Sequence, residues 1–408
     1  MSKNFKLLWT SQMLSQVTVN MMNFLFLARI YTVTGSSIAT SLLWISYALP
    51  AIFFGPIGAA TVDLINRKKI LVVTNLLQAL TVLAYIFLHK ESIFLLYAVV
   101  IVYSLLNQFY VPAESATLPS VVSRKKLAHA NSLFFLTQQA SLITGFGLAG
   151  IIQKIIGFNG SLILCSVFLF IAFISVYFLP NLAPIRKIPE NFEDLLRTFF
   201  DHIIEGYRFI KNKKTVLYPL SLLFLIQVSL TMIIINLPII AGEILKVSIS
   251  YVGLLVVVPA GVGAILGSIY VNRLIKNGWR KKKIIDISLL VIVISVFTIS
   301  LGLSYVPSVI RFITGPILVT LVGVGFVGVN IPTLTYLQEV TPEWLRGRVF
   351  GNLWFLITIA TIFPVMFSGV ISEFFGVRTL LTLLALGSSF VLYFSIYKGQ
   401  KLIEDNFN

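Results

Sequence analysis

Residues Gly55 to Lys69 read GPIGAATVDLINRKK. One acid, Asp63, precedes a basic cluster, Arg67, Lys68 and Lys69, and long apolar runs flank the stretch on both sides. An ionised side chain at the centre of a bilayer costs roughly 3 kcal/mol or more. A charged knot between two apolar runs therefore marks a membrane surface, and the runs on either side read as membrane-spanning helices.

The whole composition agrees. The 408 residues are 57% hydrophobic and 11% charged, with a mean hydropathy of +0.94, whereas a soluble globule carries about a quarter charged residues. The net charge of +16 would suit a nucleic-acid footprint on a soluble face. Here the basic residues lie in short loops between apolar runs, which excludes that reading. The one cysteine, Cys165, lies within an apolar run, so no internal disulfide and no Cys/His metal site is expected, and no cofactor.

Outward from the knot, apolar runs lie at 5–31, 38–60, 70–88, 92–116, 131–153 and 161–180. They resume at 215–241, 249–272, 284–303, 307–335, 350–373 and 378–397. Each is long enough to cross about 30 Å of hydrocarbon at about 1.5 Å per residue. The expected fold is an all-α membrane protein of twelve transmembrane helices in two pseudo-symmetric six-helix bundles. Residues 1–180 form the first bundle, 181–214 an amphipathic linker on the cytoplasmic surface, and 215–408 the second bundle with a short tail. Of the 31 Lys and Arg, only Arg29, Lys90, Lys154, Lys246 and Arg378 fall on the side opposite the knot, and Arg311 lies inside the tenth run. Positive residues stay inside, so both termini are expected to be cytoplasmic. Arg311 is expected to snorkel outward.

The halves share punctuation. Pro112 and Pro332, Gly150 and Gly369, Gly157 and Gly376 recur at a nearly constant offset. Gly58 and Gly267 share another, and the second knot also ends in a basic run, Arg280 to Lys283. In the first run Gln12, Gln16, Asn20 and Asn23 lie on one helical face, and Gln227 and Thr231 are a fainter copy in the seventh. Such a stripe lines a cavity or bonds helix to helix. Duplicated six-span halves around a midplane cavity are a common build of secondary transporters.

The chain resembles the major facilitator superfamily. PAESATLPSVVSRKKLAHANSL and TPEWLRGRVF resemble its macrolide-efflux and enterobactin-export branch. The opening stretch is similar to the superfamily's signature loop, with Asp63 at the acid and Arg67, Lys68 and Lys69 at the basic positions; Ala59 and Leu64 stand where a glycine and an arginine are usual. GFGLAG, Gly145 to Gly150, is similar to a glycine-rich antiporter element, with Phe146 in place of its proline. The resemblance implies alternating-access export of an amphipathic small molecule, coupled to protons. A lysophospholipid flippase or facilitator of the same superfamily is the alternative. No grouped catalytic residues and no phosphate-binding loop GxxxxGK[ST] occur, so neither a membrane enzyme nor an ATP-driven pump is expected, and a channel fits a duplicated bundle less well. The expected partners are the small molecule, the lipid bilayer and protons, with no nucleic acid and a monomeric chain.

Two sites follow. Asp63, near a positive helix terminus, is expected to latch the inner gate through Arg67, Lys68, Arg346 and Arg348, although basic residues there also fix topology. No carboxylate falls at the midplane, and Glu114 lies near the inner end of the fourth run. About 33 Å from its start at 1.5 Å per residue, in a break after Pro112, it is either the proton-coupling carboxyl or a structural partner of Arg124 or the basic turn.

Overall fold

A computed structural model describes residues 2–88, 92–123, 126–182, 214–341 and 343–398, with the side chains at 59–60, 63, 128, 214–215, 343–356 and 398 left out. Of the expected amphipathic linker, 181–214, residues 183–213 lie outside those described.

All the secondary structure described is helical. The first half holds α1 (Lys3–Thr34), α2 (Ser37–Leu64), α3 (Arg67–Leu88), α4 (Ile93–Val121), α5 (Leu127–Ser141) and α6 (Gly147–Tyr177), with a π turn, Leu142–Phe146, joining the last two. The second half holds α7 (Lys214–Ile235), α8 (Val258–Lys276), α9 (Lys281–Phe297), α10 (Ser308–Val340), α11 (Glu343–Phe375) and α12 (Val377–Lys398). There α7 runs on through a π turn, Ile240–Leu245, and α8 is preceded by another, Gly253–Val257. A third, Thr298–Gly302, and a 3-10 turn, Leu303–Tyr305, follow α9.

Ten helical stretches are long and apolar enough to cross a membrane, and one of these, His129–Tyr177, has 49 residues. At 1.5 Å per residue it would be about 74 Å long, over twice the hydrocarbon thickness. It turns at Gly157, whose φ of 75° and ψ of 174° belong to a region that only glycine occupies freely. Gly376, its counterpart by sequence offset, has φ 80° between α11 and α12. The polar face of α1 dilutes its hydropathy, but its 32 residues have the length of a span. Ser2 caps it by accepting from Phe5 N–H, and Gly35, at φ 65°, ends it.

Two compact units divide the chain: Met1–Gly35 with Leu42–Phe199, and Ser36–Ser41 with Phe200–Asn408. In the first, a core of Phe5, Leu8, Leu71, Tyr110, Leu118 and Val176 draws together α1, α3, α4 and α6. Small residues let helices close up. A Cβ on Gly58 would stand 2.0 Å from Gln108 O of α4. In the second unit, a Cβ on Gly263 or Gly267 would meet the α10 backbone at Thr320 O, 2.0 Å, or Val324 Cα, 3.0 Å. The shared offset of Gly58 and Gly267 thus reflects one packing role, a helix against the backbone of the helix two places on. The second unit also takes in the first turn of α2, where Glu373 Oε2 accepts from Ser36 Oγ at 2.5 Å and Ile38 N–H at 3.0 Å.

Two expectations are corrected. α4 runs unbroken through Pro112 and Pro119 to Val121, because neighbouring helices tolerate proline inside a span. Glu114 therefore lies within a continuous helix, about 10 Å from its end. Arg311 does not snorkel: it is 8% exposed.

Candidate functional site

The α1 face meets α5. Trp9 Nε1 donates to Thr137 Oγ1 at 2.8 Å, and Gln12 Nε2 donates to Phe134 O at 3.2 Å. Gln12 is 3% exposed, and its bond ties α1 to α5. Further along, Gln16, Asn20 and Asn23 are half-buried, and Asn20 Nδ2 turns back to Gln16 O at 2.8 Å. The π turn packs here, since a Cβ on Gly145 would meet Val17 O and Asn20 Cβ. Single-turn π segments concentrate at functional sites. In the second unit Thr231 is buried, donating to Gln227 O at 2.9 Å, and Gln227 is half-buried. Asn236, absent from the expected set, is buried, and its Nδ2 reaches Ser368 Oγ of α11 at 3.1 Å.

Beneath the stripe a buried chain of hydrogen bonds joins three helices of the first unit. Asn75 Nδ2 of α3 donates to Ser11 Oγ of α1 at 3.1 Å, Ser11 Oγ and Tyr110 OH stand 3.1 Å apart, and Tyr110 OH donates to Glu114 Oε1 at 2.8 Å. If Tyr110 donates to the carboxylate, Ser11 must donate to Tyr110, and every link then points toward Glu114. The carboxyl is 6% exposed, and among the described residues no cation pairs with it. Asn75 and Gln78, one turn apart on α3, are fully buried, and both amide atoms of Gln78 lack a partner among the described residues.

The basic cluster acts within the first unit. Arg67, 5% exposed at the start of α3, donates from Nη1 to Ala116 O at 2.9 Å and Ser120 Oγ at 3.1 Å near the end of α4. These bonds tie α3 to α4, and among the described residues Arg67 makes none to Glu114. Lys68 Nζ lies 5.5 Å from the Tyr177 ring centre. The second unit repeats the device: Lys281, at the start of α9, pairs with Glu339 near the end of α10. The side chains of Asp63, Arg346 and Arg348, and the whole of Arg124, lie outside those described. Among the described residues no three His, Cys, Asp or Glu come together to hold a metal.

Comparisons with known proteins agree with this build. The chain is 25% identical over 360 residues, 84% of its length and 80% of the relative's, to the uncharacterised MFS-type transporter YfiS of Bacillus subtilis (strain 168). It is 22% identical over 386 residues, 92% and 90% of the two chains, to macrolide efflux protein A of Streptococcus pyogenes. Among solved structures, a bacterial homologue of the human lysosomal transporter Spinster superposes with a TM-score of 0.77 at 13% identity, covering 100% and 98% of the two chains. A bacterial homologue of the iron transporter ferroportin gives 0.74 at 14%, covering 99% and 100%. The Major Facilitator Superfamily profile matches residues 8–365, and the chain belongs to that family of multi-pass membrane transporters.

Proposed function

We propose that the protein exports an amphipathic small molecule by alternating access, with a proton carried on Glu114 as the coupling ion. The observation that carries this reading is the Glu114 carboxyl, buried in the first unit with a Tyr110 hydroxyl and no cation among the described residues. A carboxylate in such a place is expensive to keep charged. Binding and releasing a proton there exchanges that cost for a transport step. The relationship to macrolide efflux protein A, at 22% identity, supports export of an amphipathic molecule, and the half-buried Gln16, Asn20 and Asn23 supply the amides such a cavity needs. The protein acts as a monomer in the cell membrane, with both termini cytoplasmic, as the distribution of Lys and Arg supports.

The test is Glu114→Gln in reconstituted vesicles, with a macrolide as probe, measuring concentrative export and downhill exchange in one preparation. Loss of concentrative export with exchange spared supports proton coupling at Glu114. Parallel loss of both removes Glu114 from the proton path. A second reading rests on the same chain of hydrogen bonds: if its role is only to tie α1, α3 and α4 together, the protein is a facilitator or a lysophospholipid flippase. Transport of a lysolipid that does not respond to a pH gradient supports that reading.

A further inference from the structure

Arg311 lies in the first turn of α10 and is 8% exposed. Nε and Nη1 are buried with no hydrogen-bond partner among the described residues. A guanidinium is donor-only and always charged, so what completes it must be an acceptor, and a buried unpaired cation is among the most costly features a fold can hold. The acids at this end of the unit are otherwise engaged. Glu243 Oε2 takes Val377 N–H at 3.3 Å, and Glu373 takes Ser36 and Ile38.

The surroundings have the character of a binding corner. A side chain in a helix leans toward the N-terminus, so Arg311 reaches back over the start of α10, whose first N–H groups have no side-chain cap. A helix N-terminus is itself favourable to anions. Gly315, one turn further on the same face, would touch Leu245 and Leu303 if it carried a Cβ. That face therefore looks toward the π turn Ile240–Leu245 and the 3-10 turn Leu303–Tyr305, both of which pack on α10 together with the π turn Thr298–Gly302. Ser304, in the 3-10 turn, has a second buried polar atom, Oγ, without a partner among the described residues. Lys246, which ends the first of these turns, is held at φ 54°, a conformation that is strained for a residue with a side chain. Irregular backbone, an unpaired buried cation and an unpaired hydroxyl thus coincide at one corner of the second unit.

We propose that this corner binds an anionic group, a phosphate or carboxylate, held by the Arg311 guanidinium and the Ser304 hydroxyl at the start of α10. The group is either the headgroup phosphate of a lipid or a dissolved anion. Val309, Ile310, Phe312 and Ile313 beside it are exposed apolar residues of the kind that face acyl chains. The corner lies in the second unit, whereas Glu114 lies in the first.

The test uses the full chain stripped of lipid in a neutral detergent, with thermal unfolding as the readout. One arm adds inorganic phosphate against chloride at matched ionic strength. The other compares nanodiscs of phosphatidylcholine with and without phosphatidylglycerol. The wild type should gain about 3 °C or more from the phosphate or from the anionic lipid, and which arm responds identifies the source. Arg311→Met should unfold later than the wild type in anion-free detergent, because it removes an uncompensated charge, and should show no anion-dependent gain. Ser304→Ala should fold normally and lose part of the gain, which keeps the test decisive if Arg311→Met does not express. No gain in the wild type in either arm, or an equal gain in both variants, overturns the proposal.

Discussion

The hydroxyl of Tyr110 stands 2.8 Å from Glu114 Oε1, one turn earlier on the same face of α4, and both side chains are buried. Behind Tyr110 the chain continues through Ser11 to Asn75, so helices α1, α3 and α4 all end on one carboxyl. A hydrogen bond to a charged group contributes about 1.5–3 kcal/mol, enough to set how readily that carboxyl holds or gives up a proton.

Tyr110→Phe removes the donor while keeping the ring in the core. If Glu114 cycles through its charged form, concentrative export should fall about 10-fold or more, since about 1.4 kcal/mol is a factor of ten, with exchange less affected. Measuring both rates across a range of external pH should show the change concentrated in concentrative export. Equal loss of both rates would assign the phenol to packing alone.

Arg67 carries a different expectation, because it is 5% exposed and its Nη1 satisfies two acceptors at the end of α4. Arg67→Met should lower thermal stability by an amount typical of breaking a buried charged contact, about 3 kcal/mol. Arg67→Lys should rescue little, because one ammonium cannot reproduce the guanidinium's geometry. Lys281→Met is the contrasting case. Its pair with Glu339 is partly exposed, at 19% and 48% for the two side chains, and should cost no more than about 1 kcal/mol. Unfolding midpoints of the three variants in one detergent check the order, and equal losses for Arg67→Met and Lys281→Met would refute it.

Much of this build was legible before any coordinates. Apolar runs located the helices, and the two glycines paired by sequence offset both have positive φ, Gly157 at the turn within α6 and Gly376 between α11 and α12. The ends of helices were less legible, since Pro112 suggested a break where packed neighbours let α4 continue through it and through Pro119. Glu114 stood out as an acid inside a run, but its partner did not, because Tyr110 reads as one more apolar residue until its hydroxyl is placed. Asn75 and Gln78 were a missed signal: two amides three residues apart within an apolar run are costly in a membrane and mark an internal polar face. Gln12 and Gln16 were indistinguishable by spacing, and only the position of α5 separates a buried amide from a half-buried one.

That separation is testable by labelling. In a background lacking Cys165, Gln16→Cys should react with a water-soluble thiol reagent, and Gln12→Cys should react at least about 10-fold more slowly, because a buried thiol is inert. Substrate should slow labelling at Gln16→Cys. Fast labelling at both positions would show that α5 leaves the face of α1 open, and no labelling at either would make the whole stripe an interhelical seam.

The last prediction ranks glycines by what a methyl group would strike. A Cβ on Gly58 would stand 2.0 Å from Gln108 O and 2.7 Å from its carbonyl carbon, and one on Gly263 would stand 2.0 Å from Thr320 O. Both obstacles are helix backbone, which cannot rotate away, so α2 would have to move off α4, and α8 off α10. Gly267 is less severe, with Val324 Cα at 3.0 Å, and Gly55, one turn before Gly58 on α2, meets only Gln108 Oε1 at 3.8 Å. Overpacking typically costs about 1–3 kcal/mol, and close small-residue contacts are a main source of helix association in a membrane. Alanine at Gly58 and at Gly263 should therefore lower the unfolding midpoint most, Gly267→Ala should follow, and Gly55→Ala should fall within the scatter of the wild type. Because Gly55 and Gly58 share a helix, helix propensity cannot account for a difference between them. A Gly55→Ala loss as large as that of Gly58→Ala would mean that the cost comes from the chain itself and not from the closeness of α4.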